Sequence, residues 1–244
     1  MRLYREWFYE YPFDSVSKEV GRLLSKHISI NFLSQGSAYM FQEAIGDYYL
    51  SENNAKFALT MYELAYHLIG PGNYSYLKKW TMLLKMADVL ETRFTGREEE
   101  TLRVLEQLFK ILEQYSKEKE ASLYRVKAVA LKAMVLEKTG KKKGYDFLIQ
   151  QRRTFEREKP SFHLFQICLE LAEAFQEYEE LGRYFLKLAK KNSEILPKLA
   201  LMNEKYDRWM FGEQEIENSE ELRKKLQDCY LRLLRLRYVY GHTK

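Results

Sequence analysis

Residues 39–72 read YMFQEAIGDYYLSENNAKFALTMYELAYHLIGPG, and the apolar residues in this stretch fall at helical spacing on both sides of a polar break. The spacing predicts one helix over about 36–51 and a second over about 54–69. Ser51-Glu52-Asn53-Asn54 interrupts the periodicity with residues that favour turns and helix caps. Gly70-Pro71-Gly72 stops the second helix, because proline lacks the backbone donor that would continue it. A link this short forces the two helices to run antiparallel.

The same punctuation extends outward in both directions. Val16, Val20, Leu23, Leu24 and Ile28 mark an amphipathic helix over 14–29, and further helices are expected at about 74–93, 97–116, 119–139, 143–157, 161–178, 180–192, 196–212 and 219–240. Thr95 with Glu98 has the form of a capping box. Gly140 and Gly144 flank a lysine turn, Pro160 opens a helix, and Asn218 with Glu221 caps the last one. Four prolines and eleven glycines are too few for a β-rich chain of 244 residues. The expected class is all-α, with about eleven helices.

Aligned on the first helix of each pair, Gly46, Ala87, Ala133 and Ala172 each precede a turn, and three residues later come Tyr49, Leu90, Leu136 and Phe175. A small side chain lets the partner helix approach, and the large one fills the space one turn on. The intervals of 41, 46 and 39 residues describe diverged pairs with unequal helices. Over residues 39–72, Ile45-Gly46, Tyr49, Ala58, Tyr62 and Ala65 resemble the signature of a tetratricopeptide repeat, and Gly70-Pro71 falls where that motif ends its second helix. The later pairs look like the longer, degenerate repeats of peptide-sensing receptors from Gram-positive bacteria and their phages, although no helix-turn-helix precedes them here.

The resemblance implies a right-handed solenoid forming one elongated domain. Residues 1–35 would pack on the array as an aromatic segment and helix, 36–192 would hold the helix pairs, and 193–244 would cap the end. It also implies a non-enzymatic adaptor or regulator that binds a protein or peptide on a concave face lined by the first helices. Projected onto that face are Glu43, Asp47, Asp88, Glu91, Met134, Glu137, Glu173 and Gln176. Such a groove is acidic and complements a partner segment bearing Lys or Arg.

Charge supports a competing reading. The formal net charge is +5, but residues 1–122 carry 15 Lys and Arg against 17 Asp and Glu, whereas residues 123–244 carry 25 against 18. Lys141, Lys142, Lys143, Arg152, Arg153, Arg157 and Lys159 cluster in or near one expected helix, with Lys187, Lys190 and Lys191 on another and Arg232, Arg235 and Arg237 on the last. Such clusters displace the counterions condensed on a phosphate backbone, so a nucleic acid is the alternative partner.

Catalytic chemistry finds little support. His27, His67, His163 and His242 form no HExxH and no i, i+4 ligand pair, and Gly140-Lys-Lys-Lys-Gly144 lacks the strand-to-helix context of a phosphate loop. Glu98-Glu99-Glu100 and Glu179-Glu180 fall in first helical turns, where carboxylates complement the helix dipole. No cofactor, metal or catalytic residue is expected. Cys168 and Cys229 lie among apolar helical neighbours and read as buried thiols. The aromatic, charged N-terminus is unlike a signal peptide and no apolar run spans a bilayer, so the expected location is cytoplasmic and no membrane partner is expected. Self-association through the aromatic N-terminal segment or the C-terminal helix is compatible with either reading.

Overall fold

A computed structural model of the chain describes residues 35–70, 75–118, 120–194 and 216–242. These residues form nine helices and no strand, the all-α class expected from the punctuation. The helices expected over 14–29 and 196–212, and the aromatic segment at residues 1–13, lie outside the described residues. The chain divides into two compact units, Met1–Lys141 and Lys142–Lys244.

The first unit holds α1 (Gln35–Ser51), α2 (Ala55–Leu68), α3 (Ser75–Arg93), α4 (Glu98–Gln114) and α5 (Ala121–Thr139). Each packs on the next in sequence, and α3 also reaches α5. Asn54 starts α2 as the turn residues predict, its Oδ1 accepting the Phe57 N–H at 3.2 Å. On α4 the buried Thr101, Leu105, Leu108 and Leu112 repeat at three- and four-residue intervals, so one stripe faces the core and the remainder faces water. The helix does not begin on the Thr95–Glu98 box. Gly96 takes a left-handed conformation (φ 78°), Glu98 turns back to accept its N–H at 3.3 Å, and Arg97 clamps Glu100 through contacts of 2.5 and 2.6 Å.

The core of this unit is built where the small and large residues alternate. Tyr39, Leu50, Ala58, Leu59, Tyr62, Ala65, Met82, Met86 and Leu90 form one buried cluster. Gly46 lies directly against the Tyr62 ring: a Cβ there would sit 2.5 Å from Cε1, so the ring occupies the space a side chain would need. Trp80, fully buried on α3, is ringed by Tyr76, Tyr115 and Tyr124 at centroid distances of 4.9, 6.4 and 5.3 Å.

The second unit holds α6 (Lys143–Arg157), α7 (Phe162–Ala174), α8 (Glu179–Ser193) and α9 (Ile216–His242). The left-handed residue before α6 is Lys142 (φ 71°), whose N–H donates to the Tyr178 hydroxyl at 3.1 Å, whereas Gly140 is extended. Ser161 caps α7, accepting the Leu164 N–H at 3.1 Å, so Pro160 lies just outside the helix. α7 ends at Ala174, four residues earlier than its apolar pattern suggests, because Phe175 leaves the helix to enter the core and Tyr178 N–H closes a turn onto its carbonyl. Asn218 lies inside α9 and does not cap it.

α9 packs on α7 and α8, and α6 packs on α8. The anchor of α9 is Tyr240, which fills a notch at Gly182 where any Cβ would overlap its hydroxyl, and donates to Ala172 O at 2.6 Å. Cys168 and Cys229 are free and buried, and burial pushes the Cys168 thiol far above its ordinary pKa.

Candidate binding surface

Helices α1 and α3 meet through charge. Glu43 and Asp47, four residues apart, share one side of α1. Lys85 projects to them from α3, its ammonium donating to Glu43 Oε1 at 2.7 Å and to Asp47 Oδ1 and Oδ2 at 2.9 and 3.0 Å. The Tyr62 hydroxyl donates to the same Asp47 Oδ1 at 2.6 Å. The Lys85 side chain is 6% exposed and Asp47 is equally enclosed, while Glu43 keeps 25% of its surface in water. A lysine in an interior of this kind requires such partners, since an ammonium offers three donors and tolerates no unpaired burial. Two carboxylates share the one ammonium, and Glu43 is the more exposed of the two.

The other acidic positions take different environments. Asp88 is buried on α3. Glu91 pairs with Lys138 of α5 at 2.5 Å, and the same ammonium donates to the Glu91 carbonyl at 3.0 Å, so Glu91 sits beside the stretch of α5 that carries the half-buried Met134 and Glu137. α3 and α5 are joined a second time by Thr81 and Tyr124, whose hydroxyls lie 2.8 Å apart. In the second unit Glu173 is exposed and held bidentately by the buried Arg232 of α9 at 2.9 and 2.6 Å, with Gln176 exposed just beyond. The structure thus brings Glu43 and Asp47 together, sets Glu91 near Met134 and Glu137, and gives Glu43, Asp47, Glu91 and Glu173 in-chain cationic partners.

The basic positions separate by face. Arg152 turns toward α8, where it pairs with Glu180 at 2.8 Å and lies over the Tyr184 ring at 5.0 Å. Lys143, Arg153 and Arg157 are exposed and fall on one side of α6 by helical spacing. Lys141 and Lys142 are exposed in the preceding turn, and α8 adds exposed Lys187, Lys190 and Lys191.

Reading acidic positions alone misses Lys85 and Lys138, which complete ion pairs, and the Tyr62 hydroxyl on Asp47, while Arg232, expected in the basic cluster, is instead buried against Glu173. Lys85 carries a visible signal: it interrupts the run Met82-Leu83-Leu84-Lys85-Met86-Ala87, where only a paired charge is tolerated. Among the described residues no three His, Cys, Asp or Glu side chains converge to hold a metal ion, and no helix is long and apolar enough to cross a membrane. No family model matches the chain, and neither a curated protein nor a solved structure does.

Proposed function

We propose that the chain is a non-enzymatic protein- or peptide-binding adaptor or regulator, its helix pairs belonging to a right-handed tetratricopeptide-like array whose first helices offer an acidic face to a basic partner segment. The observation that carries this reading is the α1–α3 junction, where Glu43 and Asp47 share Lys85 and one carboxylate remains in contact with water. A Lys or Arg side chain approaching Glu43 meets a carboxylate of α1 whose cation, Lys85 of α3, is shared with Asp47 and holds it in place, so little ordering is required of the receptor. Consecutive packing of α1 to α5, with α3 also against α5, supports the repeat reading.

The test uses labelled, unstructured peptides of equal length, one rich in Lys and Arg and one in Asp and Glu, titrated at low salt and followed by fluorescence anisotropy. The basic peptide is expected to bind the tighter, and Glu43→Lys to weaken it about fivefold, equivalent to about 1 kcal/mol. Preference for the acidic peptide, or indifference to Glu43→Lys, would overturn the reading.

A second reading rests on the exposed side of α6 bearing Lys143, Arg153 and Arg157, together with Lys187, Lys190 and Lys191 on α8, the helix against which α6 packs. These could engage the phosphates of a nucleic acid, with Lys141 and Lys142 adjoining and Arg152 already committed to Glu180.

A further inference from the structure

α9 carries apolar residues on two opposite faces. One face is used within its own unit, where Cys229, Leu233, Leu236 and Tyr240 are buried. On the other, Leu231, Leu234 and Tyr238 are 50, 57 and 71% exposed. Their spacing of three and four residues aligns them in one stripe along the helix. Large apolar side chains lined up on a helix whose opposite face is already packed gain free energy from being covered.

The flanking charges indicate the occupant. Asp228 and Arg235 are both exposed and seven residues apart, so they lie on one line along α9, about 75° to one side of the stripe. Arg237 lies on the other side. We infer that a second copy of this chain covers the stripe, with the two α9 helices antiparallel about a two-fold axis. In that arrangement each flank meets the same flank of its mate. Setting Leu231 against the partner's Leu234 places Gln227 beside the partner's Tyr238, and brings Asp228 to within about 3 Å of axial rise of the partner's Arg235. Symmetry forms the reciprocal pair, so the seam is closed by two ion pairs of opposite sense. A parallel pairing would instead set Arg235 against the partner's Arg237, like charge on like. The stripe is therefore self-complementary in one orientation only, as a two-fold interface requires.

Sedimentation equilibrium on the full chain, over on the order of 1–100 µM, tests the inference. A monomer–dimer equilibrium is expected. Leu234→Glu should abolish it, since each copy would press a carboxylate onto Leu231 of its mate. Asp228→Arg and Arg235→Asp should each weaken it by on the order of tenfold, and the double exchange should restore it, because opposite charges then face each other again. All three substituted positions are exposed, and circular dichroism checks that the variants keep the parent helix content. A chain that stays monomeric throughout overturns the inference. So does a dimer that survives Leu234→Glu, or one that the charge exchange fails to rescue.

Discussion

Lys85 holds together parts of the first unit that lie 42 and 38 positions away in sequence, through Glu43 and Asp47. Buried ion pairs contribute little net stability compared with apolar residues of the same size, but removing one partner leaves the other stranded. Lys85→Met should therefore cost about 3–5 kcal/mol in urea unfolding. Adding Asp47→Asn should recover part of that loss, because an amide needs no counter-charge and can still accept the Tyr62 hydroxyl. A single variant no weaker than the parent would mean that the junction is solvated and carries no strong coupling. Glu43 and Asp47 were legible in the sequence because they share a helical face in the quoted stretch. Lys85 stands out as a charge within an apolar run, but its pairing with them was not legible, because ion pairing across helices depends on which elements become neighbours, and periodicity within one helix carries no such information. Gly46 was legible for the opposite reason: its small size matters within the local pair, and the ring that fills its notch, Tyr62, lies only sixteen residues on.

At the scale of elements, α7 and α9 show what patterning resolves and what it does not. The helix starts at Asn54 and Ser161 follow from side-chain oxygens that accept helix-terminal N–H groups, a local chemistry written in the residue type. The end of α7 does not, since Phe175 through Tyr178 continue the apolar rhythm and leave the helix only because the core accepts Phe175 in another conformation. α9 depends on Tyr240, whose hydroxyl reaches Ala172 O inside the unit. Burial pushes this phenol from 10.0 up to about 12. A raised tyrosine pKa means the neutral form is favoured on folding, so the contribution is complete below pH 10 and is lost as the pH climbs toward 12. Tyr240→Phe keeps the ring in the Gly182 notch but removes the hydrogen bond, and should lower stability by about 1 kcal/mol at neutral pH. The gap between parent and variant should narrow between pH 10 and 12, as measured by urea midpoints; a gap independent of pH would show that the hydroxyl does not titrate with unfolding.

Over the whole molecule, the sequence separates charge into an acidic first half and a basic second half, and the structure modifies both. Lys85, Lys138 and Arg232 offset much of the carboxylate row, while Glu180 takes Arg152 out of the basic cluster. Net charge is thus a poorer guide to the surface than the position of each group, with Glu43 of α1 partly exposed and Lys143, Arg153 and Arg157 exposed on one side of α6. The all-α class was readable from sparse glycine and proline and from helical periodicity, whereas the division of contacts after Lys141 depends on packing that no single segment encodes. Capture of a protein or peptide is the function proposed for the chain. It is tested most directly by affinity purification of the full chain from a native-host extract, with and without nuclease, using the parent and Glu43→Lys as baits. Capture at Glu43 predicts a defined protein or peptide that survives nuclease and is depleted by Glu43→Lys. Loss of every partner on nuclease treatment, with Glu43→Lys no different from the parent, would contradict it and assign the function to the basic side of α6 and α8.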